Sequence, residues 1–271
     1  MSAGNPQPHG ASPGSLRASP LLEKFGMKFS QGGAHISRTI MLAELEATLA
    51  AVPQASPPED YRSAIIDRNV LGKTTVSTRL KTLRHLRELY ALDESTPIFG
   101  LLRRLFAIDP AGLPQLAMLT AWSRDPLLRA TTAPVLGAMD GDVVSQTELA
   151  SAFEEAFPNH YSELNRNKIA RNAGSSWTQS GHLAGRAKKT RQRVKPTVTA
   201  VTMALFLGDA AGYHGTAVFS SPWCRLLDLN PESARAHSLE AHRAGLVNLR
   251  AIGEIVEIGF PLFAEFQTPQ P

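Results

Sequence analysis

The sequence predicts a mainly α-helical protein: a helical N-terminal bundle with a helix-turn-helix-like pair, followed by one or two winged-helix-like units with small β-hairpins. Three observations predict it. Apolar residues recur at helical spacing in short segments that open on Ser, Thr, Asn or Pro and close on Gly or Pro. The strongest strand pattern comes near the C-terminal end, where LVNLRAIGEIVEIGF sets two β-branched alternating runs about Gly253-Glu254. Between the helical and hairpin regions, Asn165 to Lys195 holds nine Lys or Arg residues, and no Asp or Glu falls between Glu163 and Asp209. The whole chain carries only +4, so the remainder sums to 4 − 9 = −5 and the basic character is one local patch. Such a field attracts a polyanion or belongs to a solvated face, and its folded-looking flanks favour the first.

With 271 residues, 43% of them hydrophobic, the chain can bury substantial cores. Four regions are expected: a flexible tail at 1–20, a helical domain at 21–140, a winged-helix-like basic domain at 141–196 and a C-terminal helix-plus-hairpin domain at 197–271. The tail is rich in Gly, Ser, Pro and Ala, so ordering it costs entropy with little burial in return. Next comes a lead-in whose Gly32-Gly33 reads as a turn, then a helix whose buried stripe is Ile40, Leu45, Leu49 and Val52. Ser56-Pro57-Pro58-Glu59 reads as a capping box with Ser56 as N-cap, opening a helix that stops near Leu71-Gly72. The next helix has Val76, Leu80, Leu83, Leu86 and Tyr90 on one side and Lys73, Lys81 and Arg84 elsewhere. A helix, a Gly-containing turn and a basic helix outline either a helix-turn-helix or an ordinary amphipathic hairpin. Residues 96 to 140 complete the bundle, with Trp122 in its core and Arg103-Arg104 on its surface.

Ser145 and Glu148 form a second capping box, with Val144 and Leu149 as its staple, for a helix ending near Phe157-Pro158. A helix from Tyr161 to Asn172 stopped by Gly174, a third from Ser175 to Leu183, and an exposed hairpin from Ala184 to Pro196 complete a three-helix-plus-hairpin plan. On this plan Ser176, Gln179 and Ser180, with His182 beside them, face base edges. Arg186, Lys188, Lys189, Arg191, Arg193 and Lys195 follow phosphates, joined by Arg166, Lys168 and Arg171 on the preceding helix. Trp177 could stack on a base but more often anchors such a helix in the core. Pro196 to Tyr213, Ser221 to Leu227 and Asn230 to Ala244 then give three more helices before the acidic C-terminal hairpin, which suits a structural or protein-binding role.

The chemistry of common enzymes is missing from the pattern. Eight scattered His and one Cys offer no usual metal spacing, and there is no Walker loop, GxSxG or dinucleotide fingerprint. A nuclease would set carboxylates beside its basic surface to hold magnesium, and this stretch has none for over 40 residues. No catalytic residue, cofactor or metal is therefore expected. Cys224 is expected as a packed thiol, and the lack of a long apolar run or an apolar leader predicts a cytoplasmic protein.

In the N-terminal half, Phe29-x-x-Gly32-Gly33, an acidic amphipathic helix, Arg68-Asn69-Val70-Leu71, and Thr74-Thr75-Val76-Ser77-Thr78-Arg79 leading into a Leu/Arg helix follow one another in a set order. In this order the chain resembles the BrxA proteins of BREX phage-defence systems over roughly residues 25 to 200. The resemblance implies a small, mainly helical, non-enzymatic DNA-binding protein encoded with a bacterial defence system, with other subunits of that system as partners. The Pro/Gly/Ser-rich tail and the C-terminal helix-hairpin unit are additions to that family's pattern. The resemblance supplies no site residues, so the DNA-contact set rests on charge and on the winged-helix plan, and the expected contact is sequence-tolerant, made to double-stranded DNA through the basic wing. The sequence leaves open an adaptor subunit that docks an acidic protein surface, or an RNA-binding protein or transcriptional regulator.

Overall fold

The structure, a computed structural model, describes residues 16–252 and 255–266. Among these it contains thirteen α-helices, four short 3-10 turns and two two-stranded antiparallel sheets, so the protein is mainly α-helical. The first 15 residues of the expected tail and the Gly253-Glu254 turn lie outside the described residues.

The N-terminal region begins with α1 (Pro20–Lys24), a 3-10 turn (Ala34–Ile36) and α2 (Leu42–Ala51). The expected stripe of Ile40, Leu45, Leu49 and Val52 is buried, but Ile40 precedes the helix. Next, α3 (Pro58–Ile66) has Pro57, not Ser56, at its N-cap and no side-chain cap. Pro58 restricts the residue before it to extended backbone, so the helix cannot begin at Pro57 and the Ser56–Glu59 box does not form. That helix also ends earlier than expected, at Ile66. Nine residues, Asp67 to Thr75, separate it from α4 (Val76–Tyr90), whereas a helix-turn-helix joins its helices through three or four. The N-cap of α4 is Thr75, which accepts from the Thr78 amide.

The bundle continues through α5 (Pro97–Ile108), α6 (Leu113–Arg124), α7 (Pro126–Arg129) and α8 (Thr132–Leu136). Trp122 is fully buried, its indole N–H donating to Thr132 at 2.8 Å. Arg103 departs from expectation. It is buried, donates to the Val52 carbonyl and lies over the Phe106 ring, because the helical spacing that puts it beside Arg104 turns it toward α2 and α3.

α9 (Gln146–Ala156) opens on the expected box: Ser145 Oγ accepts the Glu148 N–H at 3.1 Å and the Glu148 carboxylate accepts the Ser145 N–H at 2.7 Å. Then the structure corrects the sequence reading. The expected second and third helices are one, α10 (Glu163–Gln179), which runs straight through Gly174. Gly174 lies on the packing face: a Cβ there would come 3.1 Å from Leu149 and 3.3 Å from the Lys189 side chain. The stop is Gly181, at φ +86°, the left-handed region that glycine adopts without strain.

After α10 come β1 (Leu183–Ala184) and β2 (Thr190–Arg191), paired Leu183 with Arg191 and Ala184 with Thr190. The outer edge of β2 is covered by the segment before α9, through a bridge between Val143 and Thr190 and the Val144 N–H to Lys189 carbonyl bond of 2.9 Å. Next, α11 (Val198–Ala210) is buried from Thr199 to Gly208. It packs on α5, α6, α12 (Pro222–Leu226) and α13 (Pro231–Arg243), so the apolar core runs without a break across positions 141 and 197. β3 (Asn248–Ile252) and β4 (Ile255–Gly259) form the C-terminal hairpin in the register that a two-residue turn requires, Ile252 opposite Ile255. No helix among the described residues is long and apolar enough to cross a membrane.

Candidate nucleic-acid interface

The basic segment divides in two according to burial. On α10, one turn every 3.6 residues sets Leu164, Lys168, Arg171, Ser175 and Thr178 along a single stripe. Leu164, Lys168 and Arg171 are exposed, and Ser175 and Thr178 are half-buried. The β1–β2 loop lies over the C-terminal end of this stripe. There Lys189 packs its methylenes against Gly174 and its ammonium donates to Thr178 Oγ1 at 2.8 Å. Burial lowers the Lys189 pKa from its ordinary value. Arg186 and Lys188 stand exposed in the same loop, and Arg193 and Lys195 in the segment after it. The hairpin loop and the outer face of α10 therefore make one cationic surface, its helical part about 15 Å long from Lys168 to Thr178.

Other members of the expected set do different work. Arg166 pairs with Glu154 at 2.8 Å and donates to the Tyr161 carbonyl. Arg191, only 2% exposed, forms an ion pair with Asp228 and donates to the His182 carbonyl at 3.3 Å. It cannot reach a phosphate from there. Its inward direction follows from strand alternation, which turns Thr190 and Arg191 to opposite faces. The other carboxylate oxygen of Asp228 accepts the Val194 N–H at 2.9 Å, so one aspartate fixes both ends of this return strand.

The expected base-reading residues are engaged within the fold. Ser176 is fully buried: its hydroxyl accepts the Ile40 N–H at 3.0 Å, donates to the Asn172 carbonyl at 2.9 Å and lies 2.8 Å from His35 Nε2. Gln179 spans Leu42 and Thr39, accepting from the Leu42 N–H at 3.2 Å and donating to Thr39 Oγ1 at 3.1 Å. Ser180 is buried against His182 at 2.8 Å. His182 is itself buried and its Nε2 faces the Leu226 carbonyl at 2.7 Å, so that nitrogen carries the proton and Ser180 donates to Nδ1. Desolvation pushes the His182 pKa down to about 4 against the upward pull of the Leu226 bond and Asp228, so the ring is neutral. Trp177 is buried too, donating to Thr131 Oγ1 at 2.9 Å. Because α10 is continuous, these residues face inward and the exposed face belongs to its N-terminal half. Asn165 is exposed there as well, its N–H capped by Ser162 Oγ at 3.4 Å.

A buried polar cluster holds that inner face. His35 Nδ1 donates to Asp125 at 2.7 Å, and Asp125 also accepts the N–H groups of His35, Leu127 and Leu128. Burial by itself would raise the Asp125 pKa, but His35 and these amides outweigh it and hold the carboxyl below its ordinary value. Gly33 admits the carboxylate, since a Cβ there would lie 2.2 Å from Asp125 Oδ1. Ser176, His35 and Asp125 thus line up as in acyl-transfer sites. In this conformation, though, the serine hydroxyl meets no solvent and already serves the backbone. The cluster ties the N-terminal segment to α7 and α10.

On the N-terminal pair, Lys81 and Arg84 are exposed, while Lys73 pairs with Glu44 at 3.0 Å. The outer side of α4 also exposes Val76 (55%) and Leu80 (49%), so its apolar stripe is buried only from Leu83 onward. A cavity of about 1270 Å³ lies elsewhere, between α1, the end of α11 and the β3–β4 hairpin, where Arg17, Asp209, Arg250 and Glu257 give mixed charge. Among the described residues no three His, Cys, Asp or Glu side chains converge where a metal ion could sit. Cys224 is buried and burial raises its thiol to about 11. No protein-family model and no curated protein matches the chain.

Proposed function

We propose that this protein is a non-enzymatic duplex DNA-binding protein whose contact surface is the outer face of α10 together with the β1–β2 loop. The observation that carries this reading is the junction of the two: Lys189 seated on Gly174 and Thr178 holds the loop that bears Arg186 and Lys188 against the helix that bears Lys168 and Arg171. The element order supports it as well. An edge segment at Val143, then α9, α10 and a hairpin whose second strand pairs back to that edge, resembles the winged-helix order with two helices in place of the expected three, and the reading makes α10 the helix that enters the groove. The reading assigns the affinity to Lys168, Arg171, Arg186, Lys188, Lys189 and Arg193, and puts Lys195, Lys81 and Arg84 at its margin. The likeness to BrxA proteins supports a cytoplasmic role in a bacterial phage-defence system, with other subunits of that system as partners.

A band-shift titration at moderate salt compares the intact chain with one in which Lys168, Arg171, Arg186 and Lys188 are alanine. All four are exposed, so the fold is retained. Affinity for duplex DNA is expected to fall on the order of a hundredfold or more. Equal affinity of the two proteins overturns the reading, and tighter binding of structured RNA than of duplex DNA replaces the partner.

A further inference from the structure

The outer surface of α10 carries more than phosphate binding needs. At 100° per residue, Lys168 sits at the centre of an arc, with Asn165 and Arg171 about 60° to either side. All three side chains are exposed, and no hydrogen bond or ion pair holds any of them among the described residues. Leu164 stands beside them 77% exposed, the most exposed large hydrophobic residue among those described. A surface selected only for electrostatic attraction gains nothing from a neutral amide or a bare leucine at its centre. Base edges in a major groove do call for these groups: an amide is bidentate to adenine, a guanidinium to guanine, and an apolar group meets the thymine methyl.

The helix is also fixed well enough to hold a register. Its C-terminal half is locked to the body by Ser176, Trp177 and Gln179, and the hairpin loop clamps Gly174 and Thr178. The projecting half cannot roll without breaking those bonds. From Asn165 to Arg171 the helix rises about 9 Å, close to three base-pair steps of about 3.4 Å.

Building on the duplex-binding reading, we propose that the N-terminal half of α10 reads sequence, with Asn165, Lys168 and Arg171 as the base-contacting side chains and Leu164 as a thymine-methyl contact. The hairpin loop then supplies sequence-independent affinity, and the protein prefers a short site of about three to four base pairs.

The test is selection from a randomised duplex pool with the full chain, followed by titration of the enriched and unselected duplexes. A short enriched motif is expected, bound on the order of tenfold more tightly than random duplex. Asn165→Ala and Arg171→Ala are expected to abolish that preference at one position each while random duplex is still bound. Lys188→Ala is expected to weaken both duplexes equally. Retention of duplex with no enriched motif overturns the inference and leaves the duplex-binding reading intact. Failure to retain any duplex at low salt overturns both. Helical circular dichroism of each variant separates lost contact from lost fold.

Discussion

The two halves of α10 carry the same kinds of residue and put them to opposite uses. From Glu163 to Arg171 the polar side chains face solvent, apart from the half-buried Asn167 and Arg166 in its pair with Glu154. From Asn172 to Ser180 most turn inward, Ser175 and Thr178 excepted: Asn172 donates to the His35 carbonyl at 2.9 Å, Ser176 to the Asn172 carbonyl, and Gln179 to Thr39. The hairpin repeats the contrast over three residues, with Lys188 exposed and Arg191 buried on Asp228. A charge run in a sequence is therefore not a surface. Which cations can meet a polyanion depends on which side of a helix or strand the fold buries.

This division predicts different outcomes for neighbouring substitutions. Arg191→Ala leaves Asp228 nearly buried without its partner and is expected to cost about 3–5 kcal/mol in denaturant unfolding, whereas Lys188→Ala changes stability by less than about 0.5 kcal/mol. Equal stability of the two variants would remove the distinction between latch and contact.

The His182 site adds a pH dependence. Its folded pKa of about 4 lies below the unfolded value, so below pH 6.5 the unfolded chain takes up a proton that the folded chain refuses. Its contribution is fully present above about pH 6.5 and is lost as pH falls toward 4, up to about 3 kcal/mol at roughly 1.4 kcal/mol per unit. Unfolding midpoints at pH 7 and 5 should differ more in the intact protein than in His182→Gln, which can still donate to Leu226. A parallel fall in both would place the sensitivity elsewhere, outside the His182 and Asp125 sites. The Asp125 contribution, set by a lowered carboxyl pKa, disappears only as pH drops below the ordinary carboxylate range.

A smaller loss follows from Ser176→Ala. It strands the Ile40 N–H and one His35 nitrogen in the core, a cost of about 1–3 kcal/mol, while Ser175→Ala, one residue away and half-buried, stays within about 0.5 kcal/mol. Equal melting temperatures for the two variants would contradict the inward placement of the C-terminal half.

What the sequence revealed and what it hid differ in range. The Ser145–Glu148 box, the span of α13 and the two strands of the C-terminal hairpin all rest on patterns a few residues apart, and each was legible. The candidate site was legible as a charge run, and its exposed members Lys168, Arg171, Arg186 and Lys188 were among the residues expected. Partners that meet only in the folded chain were hidden. His35 joins Asp125 from 90 residues away and Ser176 from 141, and Arg191 finds Asp228 across 37. Gly174 misled for a related reason. A glycine that ends a helix and one that lets a neighbour approach closely look identical in one dimension, and the distinction lies in Leu149 and Lys189.

The central claim, that the outer α10 face and the hairpin loop are one polyanion-binding surface, is tested most directly by the salt dependence of duplex DNA affinity. On random-sequence duplex, which offers no preferred site and leaves Lys168 and Arg171 to meet phosphates, about six phosphates are neutralised and the log–log slope is expected near −5 for the intact chain. It should move to about −2 when Lys168, Arg171, Arg186 and Lys188 are alanine, each lost contact removing about 0.9. The same slope for both proteins, or a slope near zero for the intact chain, would contradict it.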